Sequence, residues 1–208
     1  MAQIMTRRFF LKGFGVFLVA VSLPKIGRWI MSYQPVDSYI KYMWEHPASC
    51  MASLACAPHG ELVDSLVEYG DYATMFGIKC PCGNQSFQLK GKDIETGYAG
   101  ISAPIQAVCA GCEKKHLIFD GTKHGYDAEL GLSCSHNEEF KDKDVICPTC
   151  GGTNFLVAVA FQYGGEEQEI IDEDNLDKKR EDLFSWFSGH ARCESCKHVF
   201  EFTSIECA

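Results

Sequence analysis

Four short cysteine motifs hold the chemistry legible in this chain: Cys80-Pro81-Cys82, Cys109-Ala110-Gly111-Cys112, Cys147-Pro148-Thr149-Cys150 and Cys193-Glu194-Ser195-Cys196. They belong to a total of twelve cysteines in 208 residues, several times ordinary usage, so the thiols require a chemical explanation. Two cysteines so close on a tight turn direct both sulfurs to one point. A proline that sets the turn and a glycine that follows in the left-handed region favour this at Cys80–Gly83 and Cys147–Gly151. Two such turns facing each other present four soft thiolates tetrahedrally, at the roughly 2.3 Å that zinc prefers.

The motifs recur in order. Ile78-Lys79-Cys80-Pro81-Cys82-Gly83 leads to Phe87, and Val145-Ile146-Cys147-Pro148-Thr149-Cys150-Gly151 leads to Phe155. Each is answered by a second pair followed by a strand-like run, His116-Leu117-Ile118-Phe119 and His198-Val199-Phe200-Glu201-Phe202. Pair, strand, insert, strand, pair, strand, twice over, is the signature of an internal duplication. Over residues 78–119 and 145–202 the chain resembles the zinc-ribbon family, in which paired knuckles on β-hairpins hold one structural zinc. The resemblance implies Cys80, Cys82, Cys109 and Cys112 as ligands of one ion, and Cys147, Cys150, Cys193 and Cys196 as ligands of a second. The Cys80–Cys82 knuckle is one residue shorter than the family's usual pair. A narrower bite and earlier metal loss are expected there; His116, four after Cys112, is either an ordinary strand residue or a substitute for one ligand.

Rival chemistries stay open at this point. Disulfides suit an oxidising compartment, although a Cys-x-Cys bridge is strained. Rubredoxin-type iron uses similar knuckles, but Glu194-Ser195 and Lys197 depart from its usual second one. Haem attachment needs a His immediately after a Cys-x-x-Cys, and Lys197 stands between Cys196 and His198. Of the other cysteines, Cys50 and Cys56 could bridge, bind metal with His46 and His59, or remain thiols. Cys134, near His136, and Cys207 stay unassigned.

The charge is uneven. Residues 1–28 hold Arg7, Arg8, Lys12, Lys25 and Arg28 and no acid, so the remaining 180 residues carry −14 of a formal net charge of −9. Thr6-Arg7-Arg8-Phe9-Phe10-Leu11-Lys12 resembles the twin-arginine export signal at every position, and the apolar stretch Gly13–Pro24 has signal-peptide length. The resemblance implies export in the folded state through the twin-arginine translocase. Cleavage after Ala20-Val21-Ser22 or retention as an N-terminal anchor are both compatible, so membrane contact through this segment is expected if it stays.

Elements to position the cysteines can be read between these landmarks. Val36, Tyr39, Ile40, Met43 and Trp44 fall at helical spacing with Asp37 as N-cap and Pro47 as stop. Leu62, Val63, Leu66 and Val67 form a second stripe closed by Gly70. Phe87–Leu89 and Ile101–Val108 suit a hairpin, and Phe155–Phe161 a buried strand. Residues 166–182 contain nine acids. Within them, Asp174 is expected to cap a helix placing Leu176, Leu183, Phe184 and Phe187 on one face, either a solvated helix docked on its ribbon or a face that offers Phe184, Trp186 and Phe187 to a partner. The expected fold class is α+β: two tandem zinc-ribbon-like β-hairpin modules behind a short helical segment. The expected divisions are 1–28 leader, 29–77 helical segment, 78–135 first ribbon and 136–208 second ribbon with an acidic helical insert.

Catalytic signatures are missing: there is no Gly-rich phosphate loop, His-Glu-x-x-His helix or Gly-x-Ser-x-Gly elbow. The acid excess disfavours nucleic acid as a partner. The expectation is therefore a non-enzymatic protein with two zinc ions, periplasmic or on the periplasmic face of the inner membrane, acting through a protein partner. A thiol-redox protein and a cytoplasmic nucleic-acid-binding ribbon are the alternatives.

Overall fold

A computed structural model describes residues 36–66, 72–93, 100–129, 141–174 and 176–207. The leader, its cleavage site, Val67, Gly70, Cys134 and His136 lie outside the described residues. Nine strands are joined in one antiparallel sheet: β1 (Ala55–Ala57), β2 (Ala73–Lys79), β3 (Ser86–Asp93), β4 (Ile101–Cys109), β5 (Lys115–Phe119), β6 (Asp142–Asp144), β7 (Phe155–Gln162), β8 (Trp186–Cys193) and β9 (Val199–Glu206). The helices among the described residues are α1 (Val36–Glu45), the single turn α2 (Tyr126–Glu129) and α3 (Glu167–Asp174), with three short 3-10 turns.

The duplication read from the cysteines extends to the strand register. β3–β4–β5 and β7–β8–β9 are matching meanders. Phe87 faces Cys109 as Phe155 faces Cys193, and Val108 faces Lys115 as Arg192 faces Val199. Even the irregularity recurs, between Ile105 and Gln106 in one meander and between Gly189 and His190 in the other.

The strand entering each repeat pairs with the other repeat. β2 runs along β7, with Gly77 opposite Ala158, and β6 runs along β3, with Asp144 opposite Lys90. These pairs occupy equivalent places in the two repeats. β3 and β7 meet directly where Phe87 faces Phe155, the same position of both repeats, so a local two-fold relates the halves. The expected α+β class with two hairpin modules is thereby corrected: the protein is mostly β, and the two repeats are interleaved in one sheet. Modules would leave the edges of β3 and β7 open, and the exchanged strands β6 and β2 cover them.

The core is correspondingly shared. Phe76, Phe87, Phe119, Phe155, Phe161, Phe184, Phe187 and Phe202 are all fully buried. Phe119 of the first repeat stacks on Phe187 of the second, ring centres 4.5 Å apart, and Phe161 and Phe184 close on each other at 4.9 Å. β7 reads as a nearly continuous apolar run because it has neighbours on both edges and is covered on both faces.

The first expected helix forms as α1, beginning at Val36, one residue before the proposed cap. It buries Tyr39 and Met43. The Tyr39 hydroxyl donates to Glu167, the Tyr42 hydroxyl donates to Glu181 at 3.1 Å, and the Arg180 guanidinium lies over both tyrosine rings. The second expected helix reduces to the 3-10 turn Val63–Ser65. The third is overturned: Asp174 ends α3, Leu183 and Phe184 follow a 3-10 turn, and Phe187 lies in β8. Pairing of β8 with both β7 and β9 overrides the helical spacing. Phe184 and Phe187 are buried, so of the three aromatics proposed as a displayed face only Trp186 is exposed. Among the described residues, no helix is long and apolar enough to cross a membrane.

β8 also buries His190, whose pKa burial lowers from 6.5 to about 4. As pH falls, the unfolded chain takes up this proton first. Stability present above pH 6.5 is therefore lost as pH drops through the folded value near 4. At about 1.4 kcal/mol per pKa unit, lowering pH from 7 to 5 should cost about 2 kcal/mol through this group. Urea titrations at the two pH values should show His190→Gln losing that much less than wild type. An equal loss in both would mean that His190 takes up its proton in the folded protein.

Candidate metal centres

Each cysteine pair sits on a turn between two strands, closed by the same two backbone hydrogen bonds. The amides of Cys109, Cys147 and Cys193 donate to the carbonyls of Lys114, Gly152 and His198, while Glu113, Gly151 and Lys197 donate back to the cysteine carbonyls. In the short knuckle the Cys80 amide donates to Asn84 and Gly83 donates back, so one residue is deleted and both closing bonds survive. All four turns end in a residue with positive φ: Gly83 at 96°, Glu113 at 60°, Gly151 at 73° and Lys197 at 63°. The two glycines adopt this without a Cβ penalty; Glu113 and Lys197 accept it to close the knuckle.

The knuckles meet in pairs. Cys80, Cys82, Cys109 and Cys112 form one group and Cys147, Cys150, Cys193 and Cys196 another, the sulfurs of each within 4.8 Å of one another. Across the first group, Cys80–Cys112 and Cys82–Cys109 are 3.6 and 3.5 Å apart; across the second, Cys147–Cys196 and Cys150–Cys193 are both 3.5 Å. A tetrahedron with roughly 2.3 Å metal–sulfur bonds has an edge of about 3.8 Å, whereas a disulfide is about 2.05 Å. The donor sets fit a tetrathiolate metal and are not bridged. These distances do not distinguish the short knuckle from the regular ones.

The electrostatics also call for a cation. In the first group, burial pushes the Cys109 thiol up, but the backbone N–H groups of Cys112 and Gly111 and the Asn84 amide outweigh it and bring the thiol down to about 6. In the second, the backbone N–H of Cys196 leads the same effect on Cys193, also to about 6. Other members resist ionisation. The Cys82 N–H favours the Cys80 thiolate, yet burial and the neighbouring sulfurs push that thiol to about 12. Cys150 is likewise driven to about 12, the sulfurs of Cys196 and Cys193 outweighing the Gly152 N–H. Thiolates this close repel one another, so all four ionise together only around a positive charge.

His116 is buried beside the first group. Its Nε2 lies 3.5 Å from the Cys80 sulfur and its Nδ1 lies 3.0 Å from the Ser53 hydroxyl. The tetrad has four sulfurs of its own, so His116 borders the site as a hydrogen-bonding neighbour and does not stand in for a cysteine. Asn84 Nδ2 donates to Cys109 at 3.5 Å, and the Gly111 amide to the same sulfur at 3.4 Å. Neither Asn84 nor Ser53 was legible as a site residue. Asn84 has a signal in its place two after Cys82; Ser53 comes from a separate segment with no spacing to mark it.

No protein-family model, curated protein or solved structure matches this chain.

The other cysteines gather no metal group among the described residues. Cys50 and Cys56 are free, partly exposed thiols. Burial pushes Cys50 far above the usual thiol range and Cys56 to about 11. Such thiols are protonated and weakly nucleophilic, which speaks against redox chemistry there. His46 Nδ1 is 2.8 Å from the Tyr42 carbonyl, and His59 lies 3.7 Å from Asp64. Cys207 is buried, its thiol donating toward the Ile205 carbonyl at 3.7 Å.

Proposed function

We propose that this chain is a zinc protein of the bacterial envelope, in which two structural zinc ions hold an interleaved β-sheet as a binding surface for a protein partner. The observation that carries the metal reading is the convergence of eight cysteines into two tetrads with cross-knuckle sulfur distances of 3.5–3.6 Å. Zinc is the choice because four thiolates in a tetrahedron are its usual structural set. A complete tetrathiolate leaves no coordination position for substrate or water, which favours a structural over a catalytic ion. The −14 carried by residues 29–208 favours a protein over a nucleic acid as partner. The envelope location rests on the Thr6–Lys12 match to the twin-arginine signal, and folded export would let the thiols load with zinc before meeting an oxidising compartment.

Fractionation of cells followed by native mass spectrometry tests both parts. The expected result is the chain in the envelope fraction, carrying two zinc ions and eight unbridged knuckle cysteines. Recovery in the cytosol would remove the location. A metal-free chain with bridged knuckles would remove the zinc.

A further inference from the structure

The two tetrads share their backbone and differ in what touches their sulfurs. Four thiolates around a divalent cation carry a net charge of −2, and N–H donors to sulfur offset that charge and hold each ligand in place. In the first tetrad two side chains do this, His116 toward Cys80 and Asn84 toward Cys109. A metal-bound thiolate can only accept, so His116 carries its proton on Nε2, and the Ser53 hydroxyl donates to Nδ1 at 3.0 Å.

In the second repeat the position four after Cys196 is Phe200 and the position two after Cys150 is Gly152. A phenyl ring offers sulfur no N–H donor. Gly152 has no side chain to donate, although an added Cβ there would stand 3.1 Å from the Cys193 sulfur, where Asn84 in the first repeat reaches Cys109. Access does not separate the centres, since each has two buried and two exposed cysteines. Nor do the sulfur–sulfur distances.

We propose that the two centres are kinetically unequal: the first, with its two side-chain donors, retains its metal, and the second is the exchangeable site that yields zinc to a competing chelator. This rests on the zinc reading, and it reverses the order expected from the short Cys80–Cys82 knuckle. His116 and Asn84 are positioning residues for the first centre.

The test uses the full zinc-loaded chain in excess EDTA, followed by native mass spectrometry. At the one-zinc stage the free thiols are alkylated with iodoacetamide and mapped. Cys147, Cys150, Cys193 and Cys196 should label first, with release from the first tetrad at least about tenfold slower, the lower end of what loss of a ligand's hydrogen-bond partner costs a metal site. Asn84→Gly and His116→Phe, which install the second repeat's residues, should each speed release from the first tetrad about tenfold. Two-bond nitrogen–proton correlation should show His116 as the Nε2–H tautomer. Where His116→Phe fails to fold, the half-buried Asn84 and the wild-type labelling order still decide. Labelling of the first tetrad first, loss of both ions in one step, or release unaffected by Asn84→Gly would overturn the inequality alone. A chain that takes up no zinc would overturn the zinc reading and this one with it.

Discussion

Removing both metal ions should abolish cooperative folding of the sheet. A structural zinc contributes on the order of 10 kcal/mol to a small domain, while whole domains are stable by about 5–15 kcal/mol. Here each tetrad ties the turn entering a meander to the turn leaving its hairpin, at the pairs Phe87–Cys109 and Phe155–Cys193. Without the cation, four converging thiols hold neither their charge nor their positions, and the N-terminal ends of β3 and β7 lose their anchor. The two-fold arrangement couples the losses, because β2 and β6 dock on the opposite repeat. Circular dichroism melts and amide exchange of the chelated protein, under reducing conditions, should show loss of the transition and of protection in β3 and β7. An unchanged melting temperature would mean that the phenylalanine core suffices by itself.

Phe187→Ala should be the most damaging single core substitution outside the tetrads, at about 4 kcal/mol. Phe187 is fully buried, stacks on Phe119 at 4.5 Å and meets Phe161 at 5.6 Å. Its removal opens a cavity where the two repeats share their core. Its neighbour Trp186 is partly exposed, with Nε1 donating to Ser204 at 2.9 Å, so Trp186→Ala should cost less than about 1 kcal/mol. Urea midpoints of the two variants give the comparison. A reversed order would restore Phe187 to a surface role.

The same pair shows what the sequence could and could not tell. Leu176, Leu183, Phe184 and Phe187 have helical spacing, but a local pattern carries no information about the two strands that flank β8 and decide its backbone. The eight knuckle cysteines were legible because their constraint is local: a short turn, carrying Pro or Gly in three of the four knuckles, aims two sulfurs by itself. Facing of the knuckles followed from the repeat. The exchange of β2 and β6 did not, since each pairs with residues roughly eighty and fifty positions distant, and nothing in the three-residue run Asp142–Asp144 advertises a strand. Ser53 is the same case at the site: it reaches His116 across sixty-three residues through the fold alone.

Strand exchange also bears on how the chain is made. Synthesis runs from the N-terminus, so Ala73–Lys79 leaves the ribosome long before its partner Phe155–Gln162 exists, and the lip of β3 waits for Asp142–Asp144. The first half cannot finish on its own. Its aromatic residues, Phe119 among them, stay uncovered until Phe161 and Phe187 arrive. Closure of the molecule is a late event, set by the appearance of the last meander, and the nascent chain presents open strand edges of the kind that invite aggregation throughout that interval.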